Sequence, residues 1–137
     1  MPIQTEPELN ATGTATITVG LEDLASSISS QTGDAFPQVL ATARMVALME
    51  IAASRVLKPL LGPEELSVGV TVDINHTAPT PLGAEVTATA RYAGREGKLF
   101  LFEISAADRG GEVGRGWHKR AIVLSERLQS GAAKRVS

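Results

Sequence analysis

One segment of this chain has the period of an amphipathic helix, and a proline stands near each of its ends. Residues 36–61 read FPQVLATARMVALMEIAASRVLKPLL, and one stripe recurs in them at intervals of three and four: Val39, Ala43, Val46, Glu50, Ala53 and Leu57. Pro37 suits the start of a helix and Pro59 suits its end. The pattern therefore predicts one helix over roughly residues 39–58, with this stripe buried. Four charged residues interrupt the apolar run and argue against a membrane span: Arg44, Glu50, Arg55 and Lys58.

Most of the remaining chain alternates with the period of two that is typical of half-buried strands. A first strand is predicted in residues 13–20, and four more follow the helix: 67–78, 84–92, 98–107 and 112–128. Gly114 and Gly116 indicate a bulge or a close backbone approach in the last strand. One strand, one helix and four strands predict an α+β fold, an antiparallel sheet wrapped around one long central helix. The open edge of such a sheet is commonly paired in a dimer.

The length of 137 residues predicts a single domain, residues 1–137. Residues 21–34 are rich in serine and have no sustained period, so we expect a loop or lid there. The small and polar residues from about 128 to 137 predict a disordered tail.

Composition excludes several classes of function. The chain contains no cysteine, which excludes disulfides, thiolate metal sites and cysteine nucleophiles. Its two histidines are too few for a multi-histidine site, so we expect no bound metal. A net charge of −2 and an aromatic content of 4% argue against nucleic-acid binding. The polar N-terminal residues lack a signal-peptide core, and we expect a soluble, cytoplasmic protein with no membrane partner.

Two ionisable residues fall on faces that should be buried. His76 lies on the apolar side of the alternation in residues 67–78, and Glu50 lies on the helical stripe. Taken singly, each has a structural explanation, a hydrogen-bonded core histidine or a glutamate that reaches solvent. Because a buried, unpaired charge is costly, we interpret the two together as partners or as members of one water-lined pocket. His118 lies among basic residues, in RGWHKR, and is a weaker candidate that could be a cross-strand polar residue.

Thr42 is a third candidate for the same site. Eight residues separate Thr42 from Glu50, a rise of ~12 Å if both are helical. The two residues can share one site only if Thr42 lies on the chain that leads into the helix, or if two subunits contribute.

Three separated segments resemble the fluoroacetyl-CoA thioesterase family of the hotdog-fold superfamily: FPQVLATARMVALMEIAA, VGVTVDINHTAPTPLGAEVTATA and GEVGRGWHKRAIV. The resemblance spans roughly residues 36–126 and implies a hotdog fold, in a homodimer or higher oligomer with active sites at the subunit interface. It implies an acyl-CoA substrate and no cofactor beyond the CoA of that substrate. The implied catalytic residues are Thr42, Glu50 and His76, and the implied substrate-binding residues are Phe36, Gly69 and Arg120.

This chain departs from the family pattern at two positions that bear on acyl-group selection. Gly33 stands where the family carries a second aromatic residue near the tip of its lid, and Ile51 stands where it carries a larger aromatic residue. A lid with glycine at its tip has no side chain there to cover a small acyl group. We therefore expect weak discrimination between fluoroacetyl and acetyl thioesters, or a preference for a bulkier acyl chain.

The residues named above suit thioester hydrolysis, with their individual roles open. Glu50 can attack the carbonyl carbon or act as general base toward water. His76 can accept the proton of water or assist the leaving thiolate, and Thr42 can donate a hydrogen bond or orient Glu50. Two other classes fit the same fold: a hydratase acting on enoyl- or hydroxyacyl-thioesters, and a non-catalytic acyl-CoA-binding module. A thiol-release assay separates hydrolysis from both.

We predict that His76→Ala lowers kcat by about 100-fold or more, the usual scale of general acid–base catalysis. Because only the neutral imidazole accepts a proton, the acidic limb of the pH–rate profile should change as well. Thiol release measured across pH tests both effects. On sequence grounds His118→Ala should do much less, and equally mild effects in the two variants would show that His76 is a core residue.

Overall fold

A computed structural model describes residues 5–137, in which five strands form one antiparallel sheet. The strands are β1 (Thr12–Thr18), β2 (Glu65–His76), β3 (Glu85–Glu96), β4 (Leu99–Asp108) and β5 (Gly111–Leu124). They lie in the order β1-β3-β4-β5-β2, so β1 and β2 are the edge strands. This is the sheet expected from the alternating segments, with the last strand ending four residues earlier than predicted.

Helix α1 (Thr42–Leu57) lies on the inner face of this sheet and contacts mainly β1 and β3. Its buried residues are Met45, Leu48, Met49, Ala52, Ala53, Val56 and Leu57. The predicted stripe is therefore wrong except at its last two residues: Ala43 is exposed and the Glu50 side chain is 42% exposed, whereas Ala53 and Leu57 are buried. The helix turns its buried face toward β1 and β3, which leaves Glu50 facing the edge strand β2. No helix among residues 5–137 is long and apolar enough to cross a membrane.

A bulge in β2 changes the face on which its residues lie. The pairing with β5 shifts between Gly69 and Thr71, so that Val70 is an extra residue in the strand. As a result Gly69 lies on the inner face together with Val72 and His76, opposite buried residues of β5. The strict alternation read from the sequence is therefore interrupted at Val70, but His76 does lie on the inner face.

The two glycines of β5 mark the close approach that the sequence indicated. A β-carbon at Gly116 would overlap the carbonyl oxygen of Asp73 on β2, and one at Gly114 would lie 2.6 Å from the sulfur of Met45 on α1. The pairing of β4 with β5 also shifts next to Gly114, where Val113 is the extra residue. Both alternatives offered for these glycines, a bulge and a close backbone approach, are confirmed.

The tail is a helix rather than a disordered segment. Residues Ser125–Arg135 form α2, in which no residue is buried. Helix-favouring residues supply its sequence, with Glu126 in the first turn and Lys134 and Arg135 in the last, where these charges complement the helix dipole. The expectation of disorder from about residue 128 was wrong because polar composition was given more weight than helix propensity.

The segment expected to be a loop or lid contains two short 3-10 helices, Leu21–Asp23 and Ala25–Ser27, followed by a lid loop, residues 28–36. The base of this loop is closed by backbone hydrogen bonds of 2.8–3.0 Å: Ala25 to Val39, Ser26 to Pro37 and Ala41 to Asp23. The lid loop is therefore held at both ends next to the start of α1.

An ion pair between a buried carboxylate and a partly exposed arginine strengthens this base. Asp23 is 5% exposed and accepts hydrogen bonds of 2.8 Å from the Gly20 N–H and from Nε of Arg44, on the first turn of α1. Burial acts to raise the pKa of Asp23, but the Gly20 and Arg44 donors together hold this pKa below its ordinary value. The carboxylate therefore stabilises the fold when it is ionised.

We predict that Asp23→Asn destabilises the protein by about 1–3 kcal/mol at neutral pH, the scale of a charge-assisted hydrogen bond. Because the folded-state pKa of Asp23 is lowered, its contribution is present above the unfolded value of about 4 and is lost as pH falls through the folded value. Urea unfolding at neutral pH and near pH 3 measures the difference. The control is Glu22→Gln, which makes the same charge change on the adjacent, exposed residue. If Asp23→Asn lowered the free energy of unfolding by the same amount at both pH values, the prediction would be contradicted.

Candidate functional site

Thr42 and His76 meet where α1 begins and β2 ends. Thr42 is the first residue of α1, and its Oγ1 lies 2.8 Å from Nδ1 of His76. The other ring nitrogen, Nε2, is buried and has no hydrogen-bond partner among the described residues. A buried polar atom without a partner is rare in native structures, and its presence beside a cavity points to a functional role for this nitrogen.

A cavity of about 500 Å³ adjoins this pair. Its walls are largely apolar and come from the lid segment, the start of α1 and the chain after β2: Ala25, Ile28, Phe36, Pro37, Val39, Leu40, Thr42, Ala43, His76, Thr77, Ala78 and Pro79. Phe36, at the end of the lid loop, is 47% exposed. An apolar cavity with a few polar groups is the usual form of a small-molecule site, and the structure places Phe36 in its wall.

Glu50 belongs to a second cluster, further along α1. Its Oε1 lies 3.7 Å from Nη1 of Arg120, whose side chain is 7% exposed. A β-carbon at Gly69 would overlap this Glu50 oxygen, so only glycine leaves the carboxylate room against β2. The structure thus brings together Glu50, Gly69 and Arg120, as it does Thr42, His76 and Phe36.

Arg120 is held in place by three further hydrogen bonds. Its Nε donates to Oγ of Ser67 at 3.0 Å, and its Nη2 donates to the Ser67 carbonyl at 2.9 Å. Its Nη1 lies 3.2 Å from Nε2 of His118. Burial lowers the pKa of Arg120, and Glu50 opposes this effect.

His118 is fully buried, and both of its ring nitrogens have partners. Nδ1 lies 2.8 Å from the carbonyl oxygen of Thr71, which can only accept a hydrogen bond. Nδ1 therefore carries the proton, and Nε2 accepts from Arg120 as part of a neutral imidazole. Burial lowers the pKa of His118, which outweighs the opposing effect of the bond to Thr71.

The sequence analysis ranked His118 as the weaker candidate site residue because its neighbours are basic. In a strand, however, residues two apart share a face, and His118 shares the inner face of β5 with Arg120, while Lys119 points to the other side. The two-residue spacing of His118 and Arg120 was therefore the sequence signal that could have placed both side chains on one buried face. His118→Ala would leave a cavity and an unpaired donor on Arg120, so it is not a neutral control for His76→Ala. Asn75→Ala, at an exposed position of β2, serves that purpose better.

Within one chain the two clusters stand apart. Thr42 and Glu50 are two turns of helix from each other, ~12 Å along the axis. On β2, Gly69 and His76 are separated by seven residues, roughly 20 Å of strand. Each cluster therefore holds only part of the residue set that the sequence singled out.

Residues 19–126 match the family model described as fluoroacetyl-CoA-specific thioesterase. A fluoroacetyl-CoA thioesterase of Streptantibioticus cattleyicolor is 42% identical over 95 residues, which cover 69% of this chain and 68% of that protein.

Solved structures agree with this assignment. The fluoroacetyl-CoA thioesterase FlK superposes with a TM-score of 0.85 at 33% identity, over 93% of this chain and 96% of that one. A hot-dog-like protein of Thermanaerovibrio acidaminovorans superposes with a TM-score of 0.81 at 25% identity, over 95% and 93% of the two chains. The expected hotdog fold is confirmed, and the chain belongs to the fluoroacetyl-CoA-specific thioesterase family.

Proposed function

We propose that this protein is an acyl-CoA thioesterase that hydrolyses a small or medium acyl-CoA to the free acid and CoA. The observation that carries the proposal is the Thr42–His76 pair, which lines an apolar cavity and leaves the buried His76 Nε2 without a partner among residues 5–137. Family membership supports the same reaction. The two alternative functions are a hydratase and a non-catalytic binding module. Neither would release thiol from an acyl-CoA.

In the proposed reaction, water supplies the oxygen of the new acid and the carbon–sulfur bond breaks. Glu50 either attacks the thioester carbonyl to form an anhydride, which water then cleaves, or removes a proton from the attacking water. Nε2 of His76 exchanges a proton with the water or with the departing thiolate, and the Thr42 hydroxyl holds the ring. These steps use side chains alone and need no cofactor beyond the CoA of the substrate. Because acyl-CoA thioesters are intracellular metabolites, they also support a cytoplasmic location.

A homodimer would unite the two clusters. The outer edge of β2 is unpaired among the described residues, and Val70 and Val72 on this strand are 50% and 41% exposed. Antiparallel pairing of two β2 strands, centred between Val72 and Asp73, would set Gly69 of one subunit opposite His76 of its partner. Since Glu50 lies against Gly69, each site would then combine Glu50 of one subunit with Thr42 and His76 of the other.

The lid bears on which acyl group is preferred. Gly33 has a φ of 100°, and a β-carbon there would meet no atom within 4 Å. Phe36 is therefore the aromatic side chain that the described lid loop presents to the cavity. A panel of thioesters, from fluoroacetyl- and acetyl-CoA to aryl and long-chain acyl-CoA, scored by free thiol, tests both the reaction and the substrate range. Absence of thiol release across the panel would overturn the proposed function.

We predict that two inactive variants restore each other in a mixed dimer. Glu50→Gln and His76→Ala subunits carrying different affinity tags would be co-expressed and purified through both tags. Such a heterodimer has one site with both substitutions and one site with neither, so it should show about half of the wild-type kcat per dimer. The two homodimeric variants give the baseline. Activity that stays at this baseline would show that each site is built within one chain.

We predict that Gly69→Ala lowers kcat far more than it lowers stability. The new methyl group would displace the terminal oxygen of the flexible Glu50 side chain, and the buried His118 ring, whose Cε1 would lie 3.2 Å away, must shift by a few tenths of an ångström at some cost in stability. An effect of about 10-fold or more on kcat is expected if Glu50 acts in the chemical step. Steady-state kinetics and urea unfolding measure the two quantities. A normal kcat would contradict a role for the carboxylate in this position.

A further inference from the structure

Thr80 is a buried polar residue that lies outside both clusters of the candidate site. Residues 5–137 contain four buried polar or charged residues, and the other three are Asp23, His118 and Arg120. Thr80 is fully buried, and its hydroxyl donates a hydrogen bond of 2.7 Å to Oδ2 of Asp108. Because a buried hydroxyl is costly unless it is paired, this bond ties Thr80 to the turn between β4 and β5.

Asp108 is itself held by the turn to which it belongs. It pairs with Gly111 where β4 ends and β5 begins, and its Oδ1 accepts a hydrogen bond of 2.8 Å from the Gly110 N–H. An aspartate that bonds to the backbone two residues further on stabilises a tight turn. One carboxylate oxygen of Asp108 therefore closes the hairpin turn, while the other fixes Thr80 to it.

The backbone of Thr80 connects the two segments that carry Thr42 and His76. Thr80 follows His76 by four residues. Its carbonyl accepts a hydrogen bond of 2.9 Å from the N–H of Leu40, which precedes Thr42 by two residues. Ala41 precedes the helix and has no polar side chain to cap it. The entry to α1 is therefore held by contacts of the preceding segment, of which the bond to Thr80 is one.

His76 is held from the other side, by the sheet. It is the last residue of β2 and pairs with Gly114 of β5, and the N–H of the next residue, Thr77, donates to the Val113 carbonyl at 2.8 Å. The imidazole is therefore fixed to the sheet, whereas the Thr42 hydroxyl is fixed to the entry of α1. The 2.8 Å contact between these two groups depends on how that entry is placed relative to the sheet.

We propose that Thr80 is a positioning residue that, through Asp108, sets the distance between the Thr42 hydroxyl and the His76 imidazole. The inference rests on the proposed function, in which Nε2 of His76 exchanges a proton while Thr42 holds the ring. Catalysis is sensitive to displacements of about 1 Å at the reacting groups, even when the cause lies elsewhere in the fold. A buried hydroxyl that touches no substrate would affect kcat in this way.

Two substitutions of Thr80 separate this role from packing. Thr80→Val keeps the shape of the side chain and replaces the hydroxyl by a methyl group, whereas Thr80→Ser keeps the hydroxyl and loses the methyl group. We expect Thr80→Val to lower kcat by about 10-fold or more, with KM changed less, and Thr80→Ser to keep kcat within about 3-fold. A normal kcat in Thr80→Val, or equal losses in the two variants, would overturn the proposal.

Val56→Ala is the matched control for loss of stability. Val56 is buried near the end of α1, roughly 20 Å along the helix from Thr42. Its truncation should lower the free energy of unfolding and leave kcat unchanged. Urea unfolding compares the variants on one scale. If Val56→Ala lowered kcat as far as Thr80→Val at an equal loss of stability, the effect would be one of stability and the proposal would be wrong.

Crystal structures of the variants give a measurement that does not depend on activity. The Thr42–His76 contact should lengthen out of hydrogen-bond range in Thr80→Val and stay near 2.8 Å in Thr80→Ser. If Thr80→Val does not fold, Asp108→Ala removes the same acceptor from the hairpin turn. A contact that stays within hydrogen-bond range in the variant that folds would overturn the proposal. If no acyl-CoA releases thiol, the proposed function fails, while this distance still decides whether Thr80 positions the pair.

Discussion

The close approach of α1 to the sheet is the constraint on which the rest of the structure depends. Small residues face each other across this contact, Ala52 and Ala53 on the helix and Ala15, Ala88 and Ala90 on the strands, and all of them are buried. At Gly13 the approach is so close that a β-carbon would overlap the carbonyl oxygen of Ala52. Side chains of this size allow the helix to lie directly on β1 and β3, with larger apolar residues filling the core on either side.

This placement determines where the residues on the other side of the helix point. With its buried face on β1 and β3, α1 directs Thr42 toward the end of β2 and Glu50 toward its middle. The bulge at Val70 and the glycine at residue 69 then open the space that the carboxylate occupies. The helix thus carries one member of each cluster, and the strand β2 carries the complementary members.

Among residues 5–137, the buried side-chain polar atoms have hydrogen-bond partners with one exception, which lies in the candidate site. Asp23 is paired with Arg44, and the buried His118 and Arg120 satisfy each other and the backbone of β2. In contrast, His76 Nε2 has no partner among the described residues, and Glu50 has only a long contact to Arg120. Because a folded chain gains stability when its polar groups are paired, an imidazole nitrogen left unpaired beside an apolar cavity points to chemistry rather than to packing.

The sequence by itself determined the local elements and the chemical groups. Hydrophobic period and prolines located α1 to within a few residues, alternation located the strands, and the placement of His76 on an apolar face singled it out. Tertiary structure alone decided which face of α1 is buried, where β2 bulges, and that His118 is a neutral acceptor for Arg120. A period shows that one face of an element is buried, but the face and its partners follow from contacts between residues far apart in the chain. That is why Thr42 and Glu50 could be named from the sequence, while their division between two clusters required the fold.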